Sequence, residues 1–383
     1  MKKLRIAIVQ PILSPYTIPR FEKLAKNDEL EIILLVEKQT FSHRPGWNMS
    51  FVRGCKVEFI DSFIKSDDQE NRALGYTVSG IRAVPYRLPL LLMKYKPHIV
   101  LVCNATELLF CLPLRWYLNY KIGLMVEDTM HTMSSKSVFK QRAKVMIYRI
   151  ADFYLPLTND SADYLNINGI SKNIYRTAWS IDLDRFQKMI NTNKVETIRR
   201  GLNVKGKNVF IFVGQLIPLK GIMKLLNAWI SLPEQIQKNI ALVIIGDGPQ
   251  KEEIIYFIQN NKMSNIILLG HISYEELVNY YNTADVLIFP TLQDVFGMVV
   301  MEAIACGLPV LVSKYAGARE LVKHGENGYI FDSANIEDIK KVLVKVYKNR
   351  DKLKEMGSVS LEIIKEYSHE KVMKNLKIIL EQI

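Results

Sequence analysis

"DVFGMVVMEAIACGLPVLVS", residues 294–313, sets two carboxylates around a run of aromatic and branched apolar side chains. Phe296–Gly297 reads as the entry to a helix running to about Ala305, with Gly307 as its stop and Pro309 opening a strand. Asp294 lies in the loop before that helix, and Glu302 about one and a half turns inside it. Leaving either charge buried without a partner is costly, so each is expected to meet a cation, a hydroxyl or a ligand. Amides near Gly297, Met298 and Val299, at a helix start, favour an anion. The carboxylates accept hydrogen bonds from paired hydroxyls. A ligand with phosphates and neutral hydroxyls suits this arrangement. An Asp cap and a core-edge Glu paired with Arg or Lys is the plainer alternative.

Working outward, short β-branched runs alternate with helical spacing along the whole chain, the pattern of βαβ units around parallel sheets. Strands are expected at 4–10, 30–37, 97–104, 122–127 and 152–157, and again at 208–214, 241–248, 265–272, 285–290 and 308–313. At 383 residues two domains are expected. Residues 1–186 form the first, 187–207 (polar and rich in Lys and Asn) a linker, and 208–367 the second. Residues 368–383 form a last helix, capped by Ser368, that could pack back on the first domain. Two doubly wound domains facing across a cleft bind ligands at the carboxyl ends of their strands.

Composition narrows the function. The chain carries +12 at neutral pH, and its mean hydropathy is near zero. The charge is uneven: residues 1–190 hold 27 Lys and Arg against 18 Asp and Glu, a net of +9. A basic half invites an anionic membrane surface or a nucleic acid; no nucleic-acid-binding motif supports the second. The segments at 86–96 and 136–150 mix cations with apolar residues and fit anionic headgroups, although a stripe facing its own sheet explains them too. Cys55, Cys103, Cys111 and Cys306 are scattered without metal-ligand spacing, which fits a reducing compartment. No uncharged apolar stretch is long enough to span a bilayer. The N-terminal apolar run reads as a strand rather than a leader. A cytoplasmic protein is expected, either free or peripheral at the inner face of the plasma membrane.

Further candidates follow strands. In "VGQLIPLKG" (213–221), Gly214 allows a tight turn, and Lys220 at the next helix start makes a phosphate site. It is not a P-loop, because the glycine–lysine spacing is wrong. "IIGDGPQKEE" (244–253) lacks the third glycine of a dinucleotide fingerprint. In "LLGHIS" (268–273), Gly270, followed by His271 and Ile272, would let a planar base lie on the main chain.

Together "GQLIPLKG", "IIGDGPQKEE", "LLGHISYEELVNYYNTADVLIFP", "DVFGMVVMEAIACGLPVLVS" and "GENGYIF" resemble the family 4 retaining glycosyltransferases of GT-B fold, also called glycosyl transferases group 1. The resemblance runs from about 208 to the end and is weaker in 126–132, 151–165 and 181–186. It implies a nucleotide-sugar donor, UDP- or GDP-linked, and a hydroxyl acceptor on a lipid-linked or cell-envelope glycan of polysaccharide, capsule or lipopolysaccharide type. It implies transfer with retention and no bound metal or cofactor; on that basis "DLD" (182–184) is not read as a metal site.

Residue by residue, Glu302 matches the acid that holds the ribose. Asp294 matches the acid at the donor sugar, one methylene shorter than the family's Glu. Lys220 matches the diphosphate lysine, and Gln215 stands where many members carry a phosphate-binding Arg. Phe296, Gly297, Met298 and Val299 match the backbone around sugar and diphosphate. Gly214, Gly270, His271 and Ile272 complete the expected donor site. Asp294, Lys220 and His131 are the candidate catalytic residues, and Tyr16, Thr17, Arg20 and Glu127 are placed on the acceptor side. A GT-B nucleotide-sugar epimerase and a non-catalytic nucleotide-sugar-binding subunit remain the alternatives.

Overall fold

The β-branched runs of both halves form parallel strands covered on both faces, as near-continuous apolar segments require. The computed structural model describes residues 3–38, 51–71, 76–133, 137–188 and 192–383. The chain divides into two units, Met1–Asp182 with Tyr367–Ile383, and Leu183–Glu366. In chain order the strands are β1 (Leu4–Ile12), β2 (Leu30–Lys38), β3 (Lys56–Phe59), β4 (Phe63–Asn71), β5 (Tyr76–Val84), β6 (Ile99–Val102), β7 (Lys121–Val126) and β8 (Phe153–Pro156), then β9 (Asn208–Val213), β10 (Ile240–Ile245), β11 (Ile266–Gly270), β12 (Val286–Phe289), β13 (Val310–Ser313) and β14 (Gly328–Phe331). The helices are α1 (Ile18–Ala25), α2 (Leu88–Tyr95), α3 (Ala105–Leu118), α4 (Met130–Met133), α5 (Val138–Tyr148), α6 (Asn159–Ile167), α7 (Leu183–Lys188) and α8 (Thr192–Gly201), then α9 (Ile222–Ile230), α10 (Glu234–Asn239), α11 (Lys251–Asn260), α12 (Leu277–Thr283), α13 (Met298–Ala305), α14 (Ile336–Lys348), α15 (Leu353–Ile364) and α16 (His369–Gln382).

The first sheet runs β3-β2-β1-β6-β7-β8 and the second β11-β10-β9-β12-β13-β14. Each therefore winds outward in one direction and then in the other from its first strand, the doubly wound Rossmann-like order. In the first unit Ala7, Val9, Ile33 and Leu35 face one layer of helices, and Ile6, Ile8, Ile32 and Leu34 face the other. Period-two alternation thus supplies both cores from the same strands. Three elements lie outside the strand reading: the antiparallel hairpin β4–β5, β3, and the edge strand β14.

Two departures concern the expected boundaries. Residues 187–207 were read as linker, but they contain α8, which belongs to the second unit. Arg199 holds it there by donating to the carbonyls of Thr283 and Lys207, at 2.6 and 3.0 Å; the polar composition reflects a helix with no buried residue. Residues 189–191 lie outside the described residues. Pro249, of a residue type well suited to the first position of a helix, instead precedes α11 in a turn. The last helix, α16, belongs to the first unit, where Val372, Met373, Leu376 and Leu380 join Phe21 and Leu24 of α1 in one core.

His369 anchors α16. Its Nδ1 lies 2.8 Å from the Ser180 hydroxyl. Burial, with Arg20 and Lys23 nearby, pushes the imidazole down to about 3. Between pH 6.5 and 3 the unfolded chain therefore takes up a proton that the folded chain refuses, so acid costs stability through this group. Glu127, just after β7, acts oppositely: burial, then Asp128, raise it to about 6, and acid favours the fold through it. Replacing His369→Gln should consequently gain ~2 kcal/mol relative to wild type on going from pH 6.5 to 5. Urea unfolding of both proteins at the two pH values measures this, and parallel changes would mean that the imidazole titrates normally.

Candidate functional site

In the second unit the strand order reverses at β9, whose neighbours are β10 and β12. The loops after β9 and β12 leave their strands on opposite sides of that reversal, which opens a crevice at the carboxyl ends. They are stitched together at its floor. The Leu292 N–H donates to the Leu219 carbonyl at 2.8 Å, and the Thr291 hydroxyl donates to the same oxygen at 3.0 Å. Gly221, with φ of +69°, is required here because a Cβ would stand 2.1 Å from the Pro290 carbonyl oxygen.

This stitching brings Lys220 and Asp294 together across 74 residues of sequence as a direct ion pair. Both side chains are 18% exposed, and the Lys220 ammonium lies 5.6 Å from the centre of the Phe289 ring. The other Asp294 oxygen accepts from the Phe296 N–H at 3.1 Å, so the same carboxylate shapes the turn into α13. Gly297 follows with φ of +103°, where a Cβ would stand 2.6 Å from the Phe289 ring. Met298 and Val299 form the first turn of α13, half-buried.

Glu302 lies deeper. It is 0% exposed and accepts a hydrogen bond from the Tyr281 hydroxyl of α12 at 2.6 Å. The two carboxylates of the 294–313 segment therefore have different partners: a lysine at the mouth and a tyrosine beneath it. Gly214 and the exposed Gln215 follow β9. Gly270 ends β11, with φ of +75° and open space where a side chain would be, followed by exposed His271 and half-buried Ile272. The Gly246 N–H donates to the Gly270 carbonyl at 2.8 Å and ties that edge to the end of β10.

The first unit has its own reversal between β1 and β6. Here α1 begins with Ser14 and Thr17 capping each other: the Ser14 N–H donates to the Thr17 hydroxyl at 2.9 Å, and the Thr17 N–H to the Ser14 hydroxyl at 3.2 Å. Thr17 is thus committed to a turn, while Tyr16 sits half-buried beside it. Arg20, 6% exposed, lies within 5.6 Å of the Phe21 ring centre and 6.0 Å of the Trp179 ring centre. Burial lowers its pKa, and Cys103 and then Glu127 partly restore it. Glu107, also buried, closes a capping box at the start of α3: its N–H donates to Asn104 Oδ1 at 3.0 Å, and it accepts from the Cys103 N–H at 2.6 Å. His131 is exposed on α4, whose start Thr129 and Thr132 cap reciprocally.

Sequence reading placed Lys220, Asp294, Phe296 and Gly297, which the fold gathers at one place in the second unit. It placed Arg20 and Glu127, which meet electrostatically in the first. It missed Tyr281, Phe289 and Trp179. The unmet acceptor of a buried Glu302 called for a donor, but nothing in the spacing said which residue of α12 supplies it.

Against this geometry, residues 194–360 match the family model described as glycosyl transferases group 1. A glycosyltransferase of Methanocaldococcus jannaschii, itself uncharacterised, is 31% identical over 176 residues, 46% of this chain and 48% of that one. The chain thus spans about half the length of the first curated relatives it matches. Sulfoquinovosyl transferase of Arabidopsis thaliana is 23% identical over 93% of this chain and 73% of its own. Among solved structures, Anabaena HepE in complex with UDP superposes with a TM-score of 0.77 at 17% identity, covering all of both chains. The fold is therefore that of the GT-B glycosyltransferases, two Rossmann-like domains in one chain. Residues 194–360, the part of the chain that matches the glycosyl transferases group 1 model, hold β9–β14 and the Lys220–Asp294 pair.

Proposed function

We propose that this chain is a retaining glycosyltransferase that moves a sugar from a nucleoside-diphosphate donor to a hydroxyl of a lipid-linked or cell-envelope glycan. UDP is the favoured nucleotide, since the HepE structure of the same fold contains it; GDP is the alternative. The observation that carries the reading is the Lys220–Asp294 pair set beside the start of α13. A cation and a helix start together suit a diphosphate, and a carboxylate beside them suits the hydroxyls of the attached sugar.

In this reading the donor enters the crevice and its diphosphate takes over Lys220 from Asp294. The freed Asp294 oxygen accepts from the sugar. Gly270 lets the base approach the main chain, and Glu302, held by Tyr281, receives the ribose hydroxyls. As the anomeric C–O bond breaks, negative charge develops on the leaving phosphate, where Lys220 and the first amides of α13 are already oriented. That is preorganised stabilisation of a developing charge. The acceptor oxygen attacks the same face; its proton passes to the leaving phosphate oxygen, which balances the step without a covalent enzyme intermediate. Gln215, being neutral, leaves Lys220 as the principal fixed positive charge. In the first unit, Arg20 and Glu127 are assigned to the acceptor.

The test is nucleoside-diphosphate release from UDP-glucose, UDP-N-acetylglucosamine and GDP-mannose, with and without lipid-linked acceptors. Lys220→Ala should lower turnover by about 10²–10³-fold. Asp294→Asn should also lower turnover yet bind UDP about three- to tenfold more tightly, because Lys220 loses its competing carboxylate. Conversion of the donor without any acceptor would instead identify an epimerase. Binding with no turnover on any pair would identify a non-catalytic subunit.

Tyr281→Phe removes the hydroxyl that donates to Glu302 while leaving the shape unchanged. The fold should lose about 1–3 kcal/mol, measured by urea unfolding, and UDP should stabilise the variant less than wild type. An unchanged midpoint would mean that another group satisfies Glu302.

A further inference from the structure

Helices α2, α3 and α5 lie side by side over one face of the first sheet. Leu88 and Leu92, Leu108 and Cys111, and Val145 and Tyr148 share one core beneath them. The outward sides of these helices are not polar. Trp116 is 92% exposed, Phe139 83%, Tyr117 79% and Met146 71%. Leu109 and Trp116 are seven residues apart on α3, and Phe139 and Met146 seven apart on α5, so each pair projects from one side of its helix two turns apart. Arg115 locks the two helices in step, donating to the Ile150 carbonyl at 3.0 Å and to Asp152 at 2.5 Å. Trp116 and Met146 therefore stand at the same end. The second unit has no such surface: its exposed large apolar residues, among the described ones, are Tyr256 and Ile336.

The charge on this face has one sign. The three helices carry a single carboxylate, Glu107, and it is fully buried. Lys96, Lys140, Arg142 and Arg149 are exposed on or beside them, and none forms an ion pair among the described residues. Lys136 lies outside the described residues. Exposed aromatics with cations and no exposed carboxylate match the interfacial zone of an anionic bilayer. There indole and phenol rings sit at headgroup depth and basic side chains meet lipid phosphates.

We propose that the outer face of α2, α3 and α5 docks this protein on an anionic lipid surface, with Trp116 and Phe139 inserted and Lys140, Arg142 and Arg149 on the headgroups. Docking there would hold the protein at the membrane that carries a lipid-linked acceptor. The contact itself does not depend on which sugar, or whether any sugar, is transferred.

The experiment is co-sedimentation of the full chain with vesicles of phosphatidylcholine alone or with 30% phosphatidylglycerol, together with Trp fluorescence. Wild type should bind the anionic vesicles at least tenfold more tightly, with a blue shift in emission. Raising salt to about 0.5 M should weaken the binding. Trp116→Ser with Phe139→Ser should abolish the blue shift. Lys140→Glu with Arg142→Glu should abolish sedimentation while leaving UDP binding unchanged, which separates failure of this surface from failure of the donor site. Equal binding to neutral vesicles, or unaltered sedimentation of both double variants, would overturn the proposal. So would a concentration-dependent dimer in analytical ultracentrifugation that Trp116→Ser dissociates without any vesicle binding, because the face would then be covered by a second copy.

Discussion

The candidate chemistry depends on a backbone constraint at the reversal of strand order in the second sheet. The chain leaving β9 and the chain leaving β12 must touch, and they do so through the Leu292–Leu219 hydrogen bond and the side-chain-free approach of Gly221 to Pro290. Only with those loops in register does Lys220 reach Asp294. The ion pair is half-buried, so it gains more than a surface pair would, yet it remains open enough for another anion to compete. A cation held on an internal carboxylate is never a bare charge, and a competing anion can draw it away.

The two acids of the same helix region illustrate how depth divides roles. Asp294 sits at the crevice mouth with a cation and a backbone N–H. Glu302 sits fully beneath the surface and accepts from a tyrosine hydroxyl. A paired Asp is preorganised and exchangeable. A buried Glu is strongly demanding of hydrogen bonds, since low dielectric raises the cost of leaving its oxygens unmet.

The first unit repeats the doubly wound scheme with a different lining. Its reversal presents Arg20 between aromatic rings and Glu127 raised by burial. Its helices α3 and α5 turn Trp116, Tyr117 and Phe139 outward, while the exposed large apolar residues of the second unit, among the described ones, are Tyr256 and Ile336. One topology thus serves two surfaces, because a parallel sheet fixes only the strands and the inner sides of the helices. The loops and outer faces are left to carry function.

By itself the sequence determined the parallel αβ layering, the presence of two parallel sheets, and the helix from the loop at Phe296–Gly297 to Ala305, because apolar period and glycine placement are local properties. It also pointed to Lys220 and Asp294 through their positions after strands. It did not determine α8, a polar helix with no buried residue that looks like linker when no apolar stripe marks it. Nor did it determine the β4–β5 hairpin. Only the tertiary structure decided that Lys220 pairs with Asp294, that Tyr281 satisfies Glu302, and that Trp116 and Phe139 face outward while Val145 and Tyr148 face the core. Those outcomes rest on contacts between segments far apart in the chain, and helical periodicity fixes which residues share a face without saying which face is covered.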